Sequence, residues 1–327
     1  MVMVAVFPGQ GAQQPGMGRA LADAFPAARA VFEEVDEALG EQLSALAFEG
    51  PAESLTLTAN AQPALMATSL AAVRAVEAHT GRRLHEVTAY VAGHSLGEWS
   101  ALTAAGALGL ADAARLLRLR GLAMQDALPA GEGAMAALLG IDAAAAEEVA
   151  AEAAGPGEVC ELANDNGDGQ AVLSGHRAAV ERALGLAKAK GARRAVLLQV
   201  SAPFHCALMA PAAERLREAL AEVGIARPAV PVIANVTAEP TDEPEAIRGL
   251  LARQVTARVR WRESVATMRR LGADAMVELG VGKVLTGLAK RGLPGASLFN
   301  VQEPADVEAF ARALEGAGPG TASGAAA

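Results

Sequence analysis

Aromatic residues are scarce. They make up 3% of the 327-residue chain, with one tyrosine and two tryptophans, so the core has to be built from Leu, Val, Ala and Met. Much of the 52% apolar content is alanine, which favours helix but buries little area per residue. Cysteine is nearly absent: Cys160 and Cys206 lie far apart and form no metal-ligand spacing. Neither a disulfide framework nor a metal site is expected, and both residues read as free thiols in a reducing compartment. Positive charge is in deficit, with a net charge of -9, which argues against broad nucleic-acid binding while leaving room for one small basic mouth. Long apolar runs are missing too. The uncharged stretch Trp99–Ala111 is too short to span a bilayer and reads as a buried helix. Met1–Phe7 lacks the basic leader of a secretory signal. A cytoplasmic protein without membrane attachment is the expectation.

What is present is strong punctuation. MVMVAVF (1–7) reads as a buried strand ending at the Gly-rich loop PGQGAQ, followed by helices over about 18–39 and 61–78. Gln62-Pro63 sits where the second of these helices is expected to begin, with proline in its first turn. TAYVAG (88–93) is the next strand, and helices to about 106 and over 111–128 follow it. This alternation predicts a mostly parallel sheet with helices on both faces. Between about 130 and 200 the order becomes strand, helix, strand, strand, helix, strand, the βαββαβ pattern of a ferredoxin-like unit. After it come helix 211–223, strand PVIANV, helices 244–254 and 261–271, and strands AMVELG and ASLFNV. The expected organisation is α/β: a discontinuous α/β-hydrolase-like domain (1–129 and 200–312) carrying an inserted ferredoxin-like domain (130–199). The low-complexity end, 313–327, is expected to be a disordered tail.

In VAGHSLGEWSAL (91–102) a serine stands between two glycines, just after a strand and just before a helix. Glycines permit a sharp strand-to-helix turn, and the helix start offers unpaired N–H groups to a developing oxyanion. Ser95 in that position is a candidate nucleophile, and it needs a base. Five histidines are available. His79 and His85 flank a polar stretch, His94 adjoins the serine and is expected to pack under the turn, and His176 opens a helix. His205, in the proline-containing loop VSAPFHCALM at the domain junction, is left as the base. No acidic third member stands out among Asp165, Asp168 and Glu98, so a carbonyl is free to orient the imidazole in a Ser-His dyad.

These motifs bring a family into view. From about residue 4 to residue 303, and in order throughout, the chain resembles the malonyl-CoA:acyl carrier protein transacylases that load fatty-acid and polyketide synthases. FPGQGAQ (7–13) resembles the family's oxyanion loop, AQPAL (61–65) its TQPAL, and GHSLGEWSAL (93–102) its nucleophile motif, with Trp99 where Tyr or Phe is usual. RGLAM (120–124), NDNGDGQAVLSG (164–175), VSAPFHCALM (200–209) and RQV (253–255) resemble four further motifs. ELGVGKVLTGLAKR (278–291) resembles another, with Val281 in place of the usual proline.

The resemblance implies a division of labour. Ser95 and His205 are catalytic. Backbone N–H groups of Gln10 and Leu96 form the oxyanion hole, and the Gln254 carbonyl orients the histidine. Arg120, Gln62, Asn164, Phe204 and Met124 bind substrate. Arg120 is implied to grip the malonyl carboxylate with two parallel hydrogen bonds, although Arg115 and Arg118 lie close by and a surface role would suit all three equally. Phe204 is implied to crowd a methyl group on the substrate's α-carbon. The expected partners are malonyl-CoA and an acyl carrier protein, handled by a monomer that needs no metal and no cofactor beyond the CoA thioester. Both partners are acidic, so Arg258, Arg260, Arg262, Lys283, Lys290 and Arg291 are candidates for a basic cleft mouth. A serine esterase or thioesterase with the same dyad, and a thioester-binding scaffold without catalysis, are the rival readings.

Overall fold

The computed structural model describes residues 1–316. Ten strands among these residues form two sheets: β1 (Met3–Phe7), β2 (Tyr90–Gly93), β3 (Gly133–Leu139), β4 (Cys160–Gly167), β5 (Gln170–His176), β6 (Arg194–Leu197), β7 (Val232–Ile233), β8 (Pro240–Thr241), β9 (Ala275–Leu279) and β10 (Ser297–Val301). The larger sheet has the order β10-β9-β1-β2-β7-β8 and is parallel except for the edge pair β7–β8. β1 is its spine. Met3, Ala5 and Phe7 enter one apolar cluster, while Val4 and Val6 enter another, so both faces of the strand are buried by alternation.

The second sheet is antiparallel, with the order β4-β5-β3-β6. Helices Ala143–Ala153 and Arg177–Ala189 cover one face through an alanine-rich core that includes Ala136, Ala146, Ala179 and Ala183. Small side chains let those helices lie close to the strands. The opposite face, carrying Met135 and Val172, looks into the cleft beside the larger sheet. An isolated bridge between Asn164 and Val259 stitches the two sheets' surroundings together.

The structure differs from the sequence reading at several boundaries. The helix expected over 18–39 is two helices, Arg19–Ala24 and Pro26–Leu39. Phe25 is extended between them, because the ring of a following proline disfavours helical backbone in the residue before it. The helix expected from Ala61 begins at Thr58, so Pro63 lies past the first turn. The Ala59 N–H at its start is satisfied by the Gln125 side chain at 3.0 Å, which lets the helix extend in that direction. Helix Pro304–Gly316 runs through residues 313–316 of the expected tail, and the rest of that tail, 317–327, lies outside the described residues. No helix among the described residues is long and apolar enough to cross a membrane.

Candidate active site

Ser95 sits between β2 and helix Leu96–Ala104 with φ 53 and ψ -112, a conformation an L-residue adopts only under constraint. The flanking glycines make room for the turn. A Cβ on Gly93 would come within 1.9 Å of the Gly97 carbonyl carbon, and one on Gly97 within 2.1 Å of the Phe7 oxygen. Strand, turn and helix therefore pass closer than any side chain allows. The Ser95 N–H donates to Asn235 Oδ1 at 2.7 Å, which pins the turn from a distant part of the chain.

His205 reaches this serine from the loop after β6, also with positive φ (60°). Ser95 Oγ and His205 Nε2 are 2.7 Å apart. His205 Nδ1 lies 2.8 Å from the Gln254 carbonyl oxygen, and a carbonyl only accepts. Nδ1 therefore carries the proton, and Nε2 is free to take one from the serine hydroxyl. Burial first, and then the nearby Arg120 charge, drive the imidazole from its usual 6.5 down to about 3. The ring is thus held as a neutral acceptor. Carbon- and nitrogen-detected NMR of labelled His205 should show it neutral down to pH 5, and a midpoint near 6.5 would contradict this environment.

Arg120, on helix Leu110–Asp126, is 1% exposed. Its Nη1 donates to Gln62 Oε1 at 2.6 Å, and its Nη2 donates to Ser95 Oγ at 3.1 Å and to Gln254 Oε1 at 3.0 Å. Burial lowers the guanidinium to about 10, so it stays cationic near neutrality. Its neighbours point elsewhere: Arg118 pairs with Glu41 and Asn60, and Arg115 stands 4.0 Å from Asp112 at the surface. Of the three arginines, only Arg120 reaches Ser95. Gln62 Nε2 donates onward to Thr58 Oγ1 at 3.1 Å and to Met124 Sδ at 3.7 Å, and Thr58 donates to Gln10 Oε1 at 2.7 Å. A continuous polar chain thus links the opening loop to the guanidinium.

A cavity of about 630 Å³ opens over this constellation, and Gln10, Ser95, Asn164, Phe204 and His205 line it. Arg120, Gln62, Met124 and Gln254 form the buried layer behind Ser95 instead. Leu96 is the first residue of its helix, where backbone N–H groups have no intrahelical partner. His94 packs its ring 5.7 Å from that of the buried Trp261 and also lines the cavity, where its Nε2 lies 2.9 Å from Asn166 Oδ1 of β4. Sequence reasoning missed Asn235 altogether and gave Glu98 no task. Glu98 is buried, which pushes its carboxyl up to about 7 despite N–H bonds from Asn235 and Gln254 and the Arg120 charge. One signal was available for Asn235, a polar residue directly following the apolar run of PVIAN.

The proposed basic mouth is mostly spent on local pairs. Arg258 pairs with Glu147, Arg260 with Glu263, Arg262 with Asp165 and Arg291 with Asp168. Lys283 and Lys290 have no ion pair among the described residues.

The acyl transferase domain family model matches residues 4–308. The malonyl CoA-acyl carrier protein transacylase of Bacillus subtilis strain 168 is 46% identical over 310 residues, covering 95% of this chain and 96% of the relative. A crystal structure of an acyl-carrier-protein-S-malonyltransferase from Bartonella henselae superposes with a TM-score of 0.93 at 53% identity, covering 96% of this chain and 100% of that one. A malonyl-transacylase solved in complex with its type II PKS acyl-carrier protein gives a TM-score of 0.91 at 42% identity, covering 97% and 100%.

Proposed function

The chain belongs to the malonyl CoA-acyl carrier protein transacylases of the acyl transferase family, and from that premise we propose that Ser95 is its nucleophile, His205 its base and Arg120 the clamp for the acyl group's free carboxylate. The protein is an acyltransferase that moves a malonyl group from malonyl-CoA to an acyl carrier protein, for fatty-acid or polyketide synthesis. The reaction runs in two halves. His205 Nε2 takes the hydroxyl proton as Ser95 Oγ bonds to the thioester carbonyl. The C–S bond then breaks, and CoA leaves as the thiol with the proton from His205. In the second half the carrier's phosphopantetheine thiol gives its proton to His205. Its sulfur attacks the serine ester, and the C–O bond breaks as Ser95 recovers the proton.

Backbone N–H groups of Gln10 and Leu96 hold the oxyanion, a role that a helix start supports. The Gln254 carbonyl keeps the imidazole in the useful tautomer. Arg120 grips the malonyl carboxylate, with Gln62 and Met124 behind it, while acetyl leaves the buried cation without that anion. Asn164 contacts the substrate from the small unit, and Phe204 crowds an α-methyl group. The observation that carries this reading is the 2.7 Å contact between Ser95 Oγ and His205 Nε2, with Arg120 at 3.1 Å from the same oxygen. Its test is mass spectrometry after mixing with malonyl-CoA. One malonyl group on the peptide containing Ser95 is expected. Rapid hydrolysis without transfer would favour an esterase, and an unmodified chain would favour a scaffold.

The finer architecture belongs to the same reading. The β4-β5-β3-β6 order and the βαββαβ succession support a ferredoxin-like domain over 130–199. The strand–Ser95–helix turn supports an α/β-hydrolase-like domain over 1–129 and 200–312. The enzyme acts as a cytoplasmic monomer on the CoA thioester without a cofactor. Lys283 and Lys290 supply the positive charge that meets the acidic carrier.

A further inference from the structure

Glu98 lies on the first turn of the helix that Ser95 opens, is 1% exposed, and takes no part in the steps above. Its Oε2 accepts two N–H bonds, from the Asn235 backbone at 2.9 Å and from Gln254 Nε2 at 2.9 Å. The second bond helps to orient the Gln254 amide, together with the Ser95 carbonyl and Asn235 Oδ1, which accept from the same Nε2 at 3.0 and 3.4 Å. A glutamine amide has nearly the same shape either way round, so its orientation is decided by the groups that face it. With Glu98 as acceptor, the Gln254 NH₂ points at Glu98 and at the Ser95 carbonyl (3.0 Å), and Oε1 is left to Arg120. A reversed amide would aim its NH₂ at the guanidinium, donor against donor, and strand buried polar groups on both sides.

Glu98 and Arg120 form no ion pair among the described residues, so the amide stands between them. A direct pair would set Glu98 in competition with a substrate carboxylate for the same fork. The interposed amide holds Arg120 while leaving its Nη2 within 3.1 Å of Ser95 Oγ. We infer that Glu98 is a positioning residue for acyl selection: by fixing the Gln254 amide, it keeps Arg120 aimed at the acyl group on Ser95. This rests on the role given to Arg120 above. What matters is an acceptor oxygen at Oε2, which a glutamine in place of Glu98 also offers.

The test is a double-mutant cycle. kcat and KM for malonyl-CoA and acetyl-CoA are measured for Glu98→Ala and Glu98→Gln, each alone and combined with Arg120→Ala, with thermal unfolding as the check on folding. Glu98→Ala should lower kcat/KM for malonyl-CoA about tenfold and for acetyl-CoA less than about threefold, which narrows the preference. Combined with Arg120→Ala, the same change should cost malonyl-CoA less than about twofold, while Glu98→Gln alone should stay within about threefold of the parent. Equal losses with and without Arg120, or equal losses for both acyl donors, would mark a merely structural residue and overturn the inference. So would a Glu98→Gln variant as impaired as Glu98→Ala. If Glu98→Ala does not unfold cooperatively, Glu98→Leu, which fills the space without an acceptor, takes its place in the same cycle. Arg120→Ala with the parental acyl preference would overturn the role of Arg120 itself, and that arm contains no change at Glu98.

Discussion

Arg120→Ala is expected to lose malonyl-CoA turnover far more than acetyl-CoA turnover. Removing one partner of a buried charge pair costs about 3–5 kcal/mol. At about 1.4 kcal/mol per factor of ten, kcat/KM for malonyl-CoA should fall by roughly 10² to 4 × 10³. Part of any loss comes from the 3.1 Å bond between Nη2 and Ser95 Oγ, which both acyl donors share. The ratio of the two kcat/KM values cancels that shared part and isolates the carboxylate contact. Steady-state kinetics with both donors reads it directly, and an unchanged ratio would remove Arg120 from substrate selection.

The second large effect concerns the dyad as a unit. Ser95→Ala and His205→Ala should each lower kcat by about 10⁴ or more, and the double variant should be no worse than either single one, because groups that act in one step do not add. The 2.7 Å contact makes them one device: without the imidazole the hydroxyl keeps its proton, and without the hydroxyl the imidazole has nothing to deprotonate. Losses that multiply in the double variant would mean two independent roles.

How far the sequence leads depends on how local each cause is. Ser95 is legible because the glycines that make room for its turn stand two positions away on either side, at 93 and 97. His205 emerges by elimination among five histidines. Arg120 was not separable by pattern from Arg115 and Arg118, since what distinguishes it is contact with Gln62, 58 positions earlier. Glu98 and Asn235 meet across 137 positions, and neither segment announces the other. The ion pairs of the cleft cations are illegible for the same reason: Glu147 and Asp165 reach Arg258 and Arg262 only once the chain is folded. The mostly parallel sheet and the antiparallel one were legible because alternation and turn residues are written locally. The break at Phe25 was written locally too, in Pro26, and went unread.

Glu98 and His205 also share out a proton. The unfolded chain would protonate its imidazole below about 6.5 and its carboxyl only below about 4.5, whereas the folded site reverses the order, with the carboxyl near 7 and the imidazole near 3. Acidification below 6.5 penalises the fold through the histidine that refuses a proton. The glutamic acid works the other way, since its contribution is present below 4.5 and is lost as the pH rises through 7. Between 4.5 and 6.5 the two slopes cancel. Folding then moves one hydrogen ion from nitrogen to oxygen without gaining or releasing any, so keeping the imidazole uncharged adds no acid sensitivity across that interval.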